Sequence, residues 1–122
     1  MKAMGDTIRF TAKDVSLEPR ACFIGFADQE GQRYFWMQPG EMTTAKHEIW
    51  LERDDQGWGG CGGTWNVVLS RDRFLVNTEA LPWMACEAIE IEFAVDDATY
   101  VMLKELLQRA MLGCPSDLDI RD

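Results

Sequence analysis

The sequence predicts an α+β domain in which a mostly antiparallel β-sheet of about six strands packs against one C-terminal helix. Three observations carry that prediction. Short apolar runs recur with a period of two and are parted by turn residues, as in "KHEIWLER" and "AIEIEFAV". Only "DDATYVMLKELLQRAMLG" has the three- and four-residue spacing of an amphipathic helix. A chain of 122 residues, 47% hydrophobic and 27% charged, suits one soluble domain over residues 1–122, with no internal repeat and no dividing linker.

The elements follow in order. "TIRF" at 7–10 forms a short strand, and "SLEPR" reads as a turn because Pro19 limits regular structure. "ACFIGFAD" is a largely buried strand. The turn signal "QEG" joins it to the aromatic-rich strand "QRYFWMQ", which makes a β-hairpin. After the break "PGEMT", "KHEIWLER" alternates. His47, Ile49 and Leu51 share one face; Lys46, Glu48, Trp50 and Glu52 share the other. "TWNVVLS" places Trp65, Val67 and Leu69 together and pairs across "SRD" with "RFLVN". A short helical turn near 78–85 fits a Thr78 cap, with Pro82 limiting its length. "AIEIEFAV" turns Ile89, Ile91, Phe93 and Val95 inward and Glu90 and Glu92 outward. In the helix, capped by aspartate, Tyr100, Leu103, Leu107 and Met111 form the stripe that covers the sheet; Gly113 and Pro115 stop it. The polar tail from residue 114 is expected to fray.

Net charge is −9, from 21 acidic and 12 basic residues. That disfavours a nucleic-acid backbone as partner, which would call for clustered Lys and Arg. It fits a basic protein partner, steered by complementary charge, and equally a domain kept soluble by its charge. No stretch approaches a membrane span, and no apolar run follows the first lysine as in a secretory signal, so a cytoplasmic location with reduced thiols is expected. Cys22, Cys61, Cys86 and Cys114 lack metal-site spacing, and Cys22 and Cys86 read as small core residues.

The stretch "DDQGWGGCGG" satisfies G-x-G-x-x-G by letter. A dinucleotide turn needs a helix after it, whereas β-branched "TWNVVLS" follows, and Asp54 and Asp55 would repel phosphate. The glycines are read instead as a turn or bulge between strands. His47 is the sole histidine; a Cys61–His47 nucleophilic pair is formally open, as is a strand histidine with a hydrogen-bond partner. The carboxylate pairs Glu48/Glu52 and Glu90/Glu92 mark solvated strand faces more naturally than acid–base sites. No active site, metal site or cofactor site is assembled. Of the five tryptophans, Trp65 fits the core, while Trp50 and Trp58 stand among acidic residues and glycines. Interface anchoring and structural packing both fit those two.

Taken together, "FIGFADQEGQRYFWMQ", "IWLERDDQGWGGCGG", "TWNVVLSRDRFLV" and "IEIEFAVDDATYVMLKELLQRAM" resemble the immunity protein 10 family of bacterial polymorphic toxin systems, over roughly positions 8 to 112. The Asp55-Gln56 pair leading into glycines, the turn from Leu69 to Arg73 and the alternating strand before the helix carry the likeness. The resemblance implies a non-enzymatic inhibitor that binds and neutralises a cognate toxin, often a nuclease or other enzyme, by stoichiometric contact. On that reading Glu48, Glu52, Asp54 and Asp55 meet basic toxin residues, and Trp50 and Trp58 supply desolvated anchors. Two other classes stay open: a small enzyme or ligand-binding domain with a cleft near Cys61 and His47, and a homo-oligomer, such as a homodimer, sealed by its aromatics.

Overall fold

In the computed structural model, residues 7–39, 49–60, 65–79, 81, 84, 86–112 and 117–121 are described. Among the described residues, ten strands and one helix follow one another: β1 (Thr7–Thr11), β2 (Asp14–Glu18), β3 (Phe23–Ala27), β4 (Tyr34–Pro39), β5 (Ile49–Arg53), β6 (Asp55–Gly60), β7 (Asn66–Ser70), β8 (Arg73–Asn77), β9 (Ala88–Glu92), α1 (Asp97–Met111) and β10 (Asp117–Arg121). They build two five-stranded sheets where the sequence suggests one of about six strands.

The first is a mixed sheet of order β1-β9-β8-β7-β10. Its centre is antiparallel, while β1 joins β9 and β10 joins β7 in parallel. The second is an antiparallel meander, β2-β3-β4-β5-β6. The chain passes between them at residues 12–13: Ala12 N donates to Glu92 O of the mixed sheet, and Lys13 N to Ala27 O of the meander.

Alternation in each strand selects the inner faces. Ile24, Phe26, Phe35, Met37 and Leu51 of the meander, and Val67, Leu69, Phe74, Val76, Ile89 and Ile91 of the mixed sheet, are buried in one core. Phe74 of β8 meets Phe26 and Phe35 with ring centroids 4.9 and 5.6 Å apart, which locks the two faces together. Each such side chain, fully removed from water, contributes about 1.5–3 kcal/mol.

Helix α1 touches β3 and β10, one strand from each sheet. Its expected stripe of Tyr100, Leu103, Leu107 and Met111 is buried, joined by Leu106 and Ala110. Asp96 caps the helix by accepting from Thr99 N at 2.8 Å. The turn between β7 and β8 docks on that end: Arg71 donates to Val95 O at 2.9 Å and to Asp97 Oδ1 at 2.8 Å, and lies over the Tyr100 ring. The other end is tied to the β2–β3 connection by Arg109, whose Nη1 donates to Pro19 O at 3.3 Å.

Several expectations change. "SLEPR" is not simply a turn, because Ser16, Leu17 and Glu18 complete β2, whose Val15 and Leu17 pack against the core. Residues 117–121, read from the sequence as part of a frayed tail, form β10, with Leu118 and Ile120 against the same core. Near 78–85, Leu81 N donates to Thr78 O and Met84 N to Leu81 O as successive turns, while the Thr78 hydroxyl bonds Cys86 O instead of capping. Cys22 and Cys86 are buried and free. Among the described residues no helix is long and apolar enough to cross a membrane.

Candidate functional site

Two neighbouring strands of the meander send apolar side chains inward and aromatic ones outward. Phe35 and Met37 of β4 and Ile49 and Leu51 of β5 enter the core, so Tyr34, Trp36, Trp50 and Glu52 share the outer face. Register then sets their neighbours. Across the sheet, Gly25, Trp36, Glu52 and Gly59 stand in one row.

The two glycines give the large rings room to lie down. A Cβ at Gly25 would come within 3.0 Å of the Phe23 ring and 3.2 Å of Trp36 Cδ1; one at Gly59 would come within 2.7 Å of Trp50 Cζ2. Phe23 and Trp36 meet edge to face at 5.7 Å, and Tyr34 and Trp36 are tilted at 4.8 Å. The result is an aromatic surface on which Trp36 and Trp50 are each 40% exposed.

Within this surface is a buried carboxylate. Glu52 is only 3% exposed. Its Oε2 accepts from the Tyr34 hydroxyl at 2.5 Å, and its Oε1 from Trp50 Nε1 at 2.9 Å. The indole N–H can only donate, and the Tyr34 hydroxyl donates to the other oxygen, so both oxygens serve as acceptors. Among the described residues no lysine or arginine forms an ion pair with Glu52. Its charge is held by two neutral donors.

Asp54 is built differently. It turns the chain from β5 into β6 at φ 60°, a left-handed conformation that aspartate tolerates better than most residues. Its carboxylate accepts from Arg33 Nη1 at 2.6 Å, Arg53 Nη1 at 2.9 Å and Tyr34 N at 3.0 Å. Arg53, itself buried, also donates Nε to Met84 O at 2.8 Å. Asp54 is thus an internal anchor for the hairpin, with two arginines balancing its charge.

The sequence-derived candidates therefore separate. Trp50 and Glu52 share a face and touch, as alternation placed them, but Glu52 is covered where a solvated carboxylate was expected. Asp54 is turned to its own arginines and is not displayed to a basic partner. Asp55 and Trp58 lie in β6, whose register against β5 shifts between Glu52 and Arg53: Gly59 faces Glu52, whereas Asp55 faces Arg53. The glycine segment is thus an irregular edge strand, and the next described element is β7, a strand. The side chains of Asp55 and Trp58, together with Glu48, His47 and Cys61, lie outside the described residues. Tyr34, Trp36 and Phe23 were not singled out from sequence, although the alternation of "YFWMQ" already separates Tyr34 and Trp36 from Phe35 and Met37.

Elsewhere, a cavity of about 280 Å³ lies beside the pairing of β1 and β9, lined by Arg9, Phe10, Thr11, Glu90 and Glu92. Its charges compensate one another: Arg9 pairs with Glu90 at 3.0 Å, and Arg73 with Glu90 and Glu92 at 3.3 Å each. Among the described residues no three His, Cys, Asp or Glu side chains are grouped to hold a metal ion. Comparison with family models, with curated proteins and with solved structures finds no match for this chain.

Proposed function

We propose that this chain is a protein-binding inhibitor of the immunity type, which neutralises a basic toxin by stoichiometric contact through the outer face of the meander sheet. The observation that carries this reading is the pair of half-exposed tryptophans flanking a buried carboxylate that has no cationic partner among the described residues. Tryptophan is favoured at the centres of protein interfaces, where a desolvated ring contributes most of its binding energy. Beside it, the outward positions of β2 add the exposed Asp14 and Glu18 as an acidic rim. The net charge of −9 would speed encounter with a basic partner.

Inhibition by occlusion asks for no catalytic group. It asks for a rigid surface, and here Trp50 is fixed by its bond to Glu52 and by close contact with Gly59. A preset ring loses less freedom on binding. The resemblance to immunity proteins supplies the partner class; the aromatic face supplies a place for it.

The test is direct. The proposal expects a toxin gene beside this one; mixed with the toxin domain it encodes, the chain is expected to elute as a stable complex and to suppress the toxin's activity at a molar ratio of one. Trp50→Ala and Trp36→Ala should each weaken binding by about 10–100-fold, the loss typical of a central aromatic anchor, with circular dichroism unchanged. A toxin that stays active in excess chain, or a complex indifferent to both substitutions, would overturn the assignment of this face.

A further inference from the structure

Resting on that reading of the meander face as a protein-binding surface, we infer that Trp36, Trp50 and Glu52 form a receptor for an arginine side chain of the partner. The guanidinium plane lies against the exposed indole faces, and Glu52 beneath them supplies the opposing charge.

Three features of the site select this ligand. The rings pack closely against Gly25 and Gly59, and Trp36 and Trp50 each stay 40% exposed, so part of each indole is open to a ligand. Such faces attract cations, and do so more strongly where water is excluded. Next, the charge of Glu52 is not cancelled by any described cation, so a negative field emerges through the aromatic surface. Opposite charges attract more strongly across a surface that excludes water than in bulk solvent. Finally, Glu52 is buried beneath the rings, which denies an incoming group a direct salt bridge. A compact ammonium would surrender its hydration for little return. A guanidinium can stack by its weakly hydrated face while its edge N–H groups stay bonded to water or to exposed Gln38, which stands opposite Trp50. The geometry therefore favours arginine over lysine, and any cation over a neutral ring such as a sugar.

The experiment needs no toxin. In ¹⁵N-labelled protein, the indole N–H signals of Trp36 and Trp50 are followed at low ionic strength, where a single charge pair is least screened. The probe is the blocked tripeptide acetyl-Gly-Arg-Gly-amide, compared with its lysine and citrulline analogues; citrulline keeps the planar shape without the charge. Saturable shifts at both indoles are expected with arginine, at an affinity about tenfold above that for citrulline and a few-fold above that for lysine. Glu52→Gln should lower the arginine affinity by about tenfold. The amide can still accept from Trp50 Nε1 through its oxygen and donate to the Tyr34 hydroxyl through its nitrogen, so the network survives while the charge is lost.

Equal shifts from arginine and citrulline, no saturable shift from arginine, or an unchanged affinity in a folded Glu52→Gln variant would each overturn the inference. So would indole shifts by an oligosaccharide that match those by arginine. If the arginine probe fails while the neighbouring toxin still binds and releases on Trp50→Ala, the docking face stands and only its arginine anchor is lost. Should the Glu52→Gln variant fail to fold, the arginine–citrulline comparison on the unaltered chain decides.

Discussion

Gly59→Ala tests whether the aromatic face is held in place or merely rests there. The added methyl would stand 2.7 Å from Trp50 Cζ2, 3.1 Å from Cε2 and 3.2 Å from Glu52 Cγ. Comfortable carbon contacts begin near ~3.5 Å, so the indole has to lift by about 0.8 Å. The ring is partly exposed and free to move outward, but its Nε1 is bonded to Glu52 at 2.9 Å. Lifting carries that pair beyond roughly 3.5 Å, where the bond is lost. Losing a hydrogen bond to a charged group costs about 1.5–3 kcal/mol. The lower entropy of the unfolded alanine chain returns about 0.4–1 kcal/mol. A net destabilisation of about 1–2 kcal/mol is expected, and thermal unfolding of a domain this size should then shift down by about 4–8 °C. The decisive measurement is a double-mutant cycle with Trp50→Ala. Once the ring is gone, the tightest two contacts of the methyl go with it and Glu52 Cγ at 3.2 Å can give way, so Gly59→Ala should become neutral or stabilising. Equal effects of Gly59→Ala in both backgrounds would refute the idea that Trp50 is clamped between a glycine and a carboxylate.

Asp54→Ala removes the shared acceptor of Arg33, Arg53 and Tyr34 N at a largely buried site; urea unfolding should report a loss of about 3–5 kcal/mol. Asp54→Asn, which tolerates the same turn and keeps one acceptor, should lose less. The carboxyl of Asp96 is held below the usual aspartate value by hydrogen bonds from the Thr99 side chain and backbone, with Arg71 adding a smaller pull in the same direction. Its folded value is thus the lower one, so its contribution is present above the ordinary aspartate value and lost as pH falls through the folded one. Asp96→Asn, still a helix cap, should therefore flatten that acid limb, seen as melting temperatures of the two proteins converging toward low pH. Deleting residues 117–122 strips Leu118 and Ile120 from the core and opens β7 as an edge; a loss on the order of 2 kcal/mol is expected in chemical unfolding.

Much of this fold was legible as alternation. Ile89 and Ile91, Val67 and Leu69, and the helix stripe from Tyr100 to Met111 all lie where their periods place them. Alternation tells which face a residue takes and leaves open which strands share a sheet, so the meander and the mixed sheet were merged into one. Three strands escaped notice: β6 is a glycine-rich run read as a turn or bulge, while β2 and β10 carry only two inward apolar residues each, Val15 with Leu17 and Leu118 with Ile120. So short a signal is fixed by pairing with a distant strand. Glu52 illustrates a second limit. Its outward orientation was read correctly, yet outward became buried because Tyr34 and Trp50 close over it, and neither the register nor the room left by Gly59 can be read from local sequence. The pairing of Asp54 was hidden for a related reason: Arg33 lies 21 positions earlier, and only the folded hairpin brings it near.

The two sheets also differ in how far apart along the chain their partners lie. The meander is assembled from consecutive strands, each closed onto the one before it. The mixed sheet joins β1 to β9, bringing together Arg9 and Glu90 from 81 positions apart, and β10 to β7, bringing Asp117 and Asn66 from 51 apart. Loop-closure entropy makes such distant pairings slow to nucleate. On a ribosome, residues 14–60 emerge as a unit able to pair within itself, while β1 waits until most of the chain has followed it. The aromatic surface would be shaped early and the sheet that backs it sealed late, with β10 covering β7 only after the strands between them have paired.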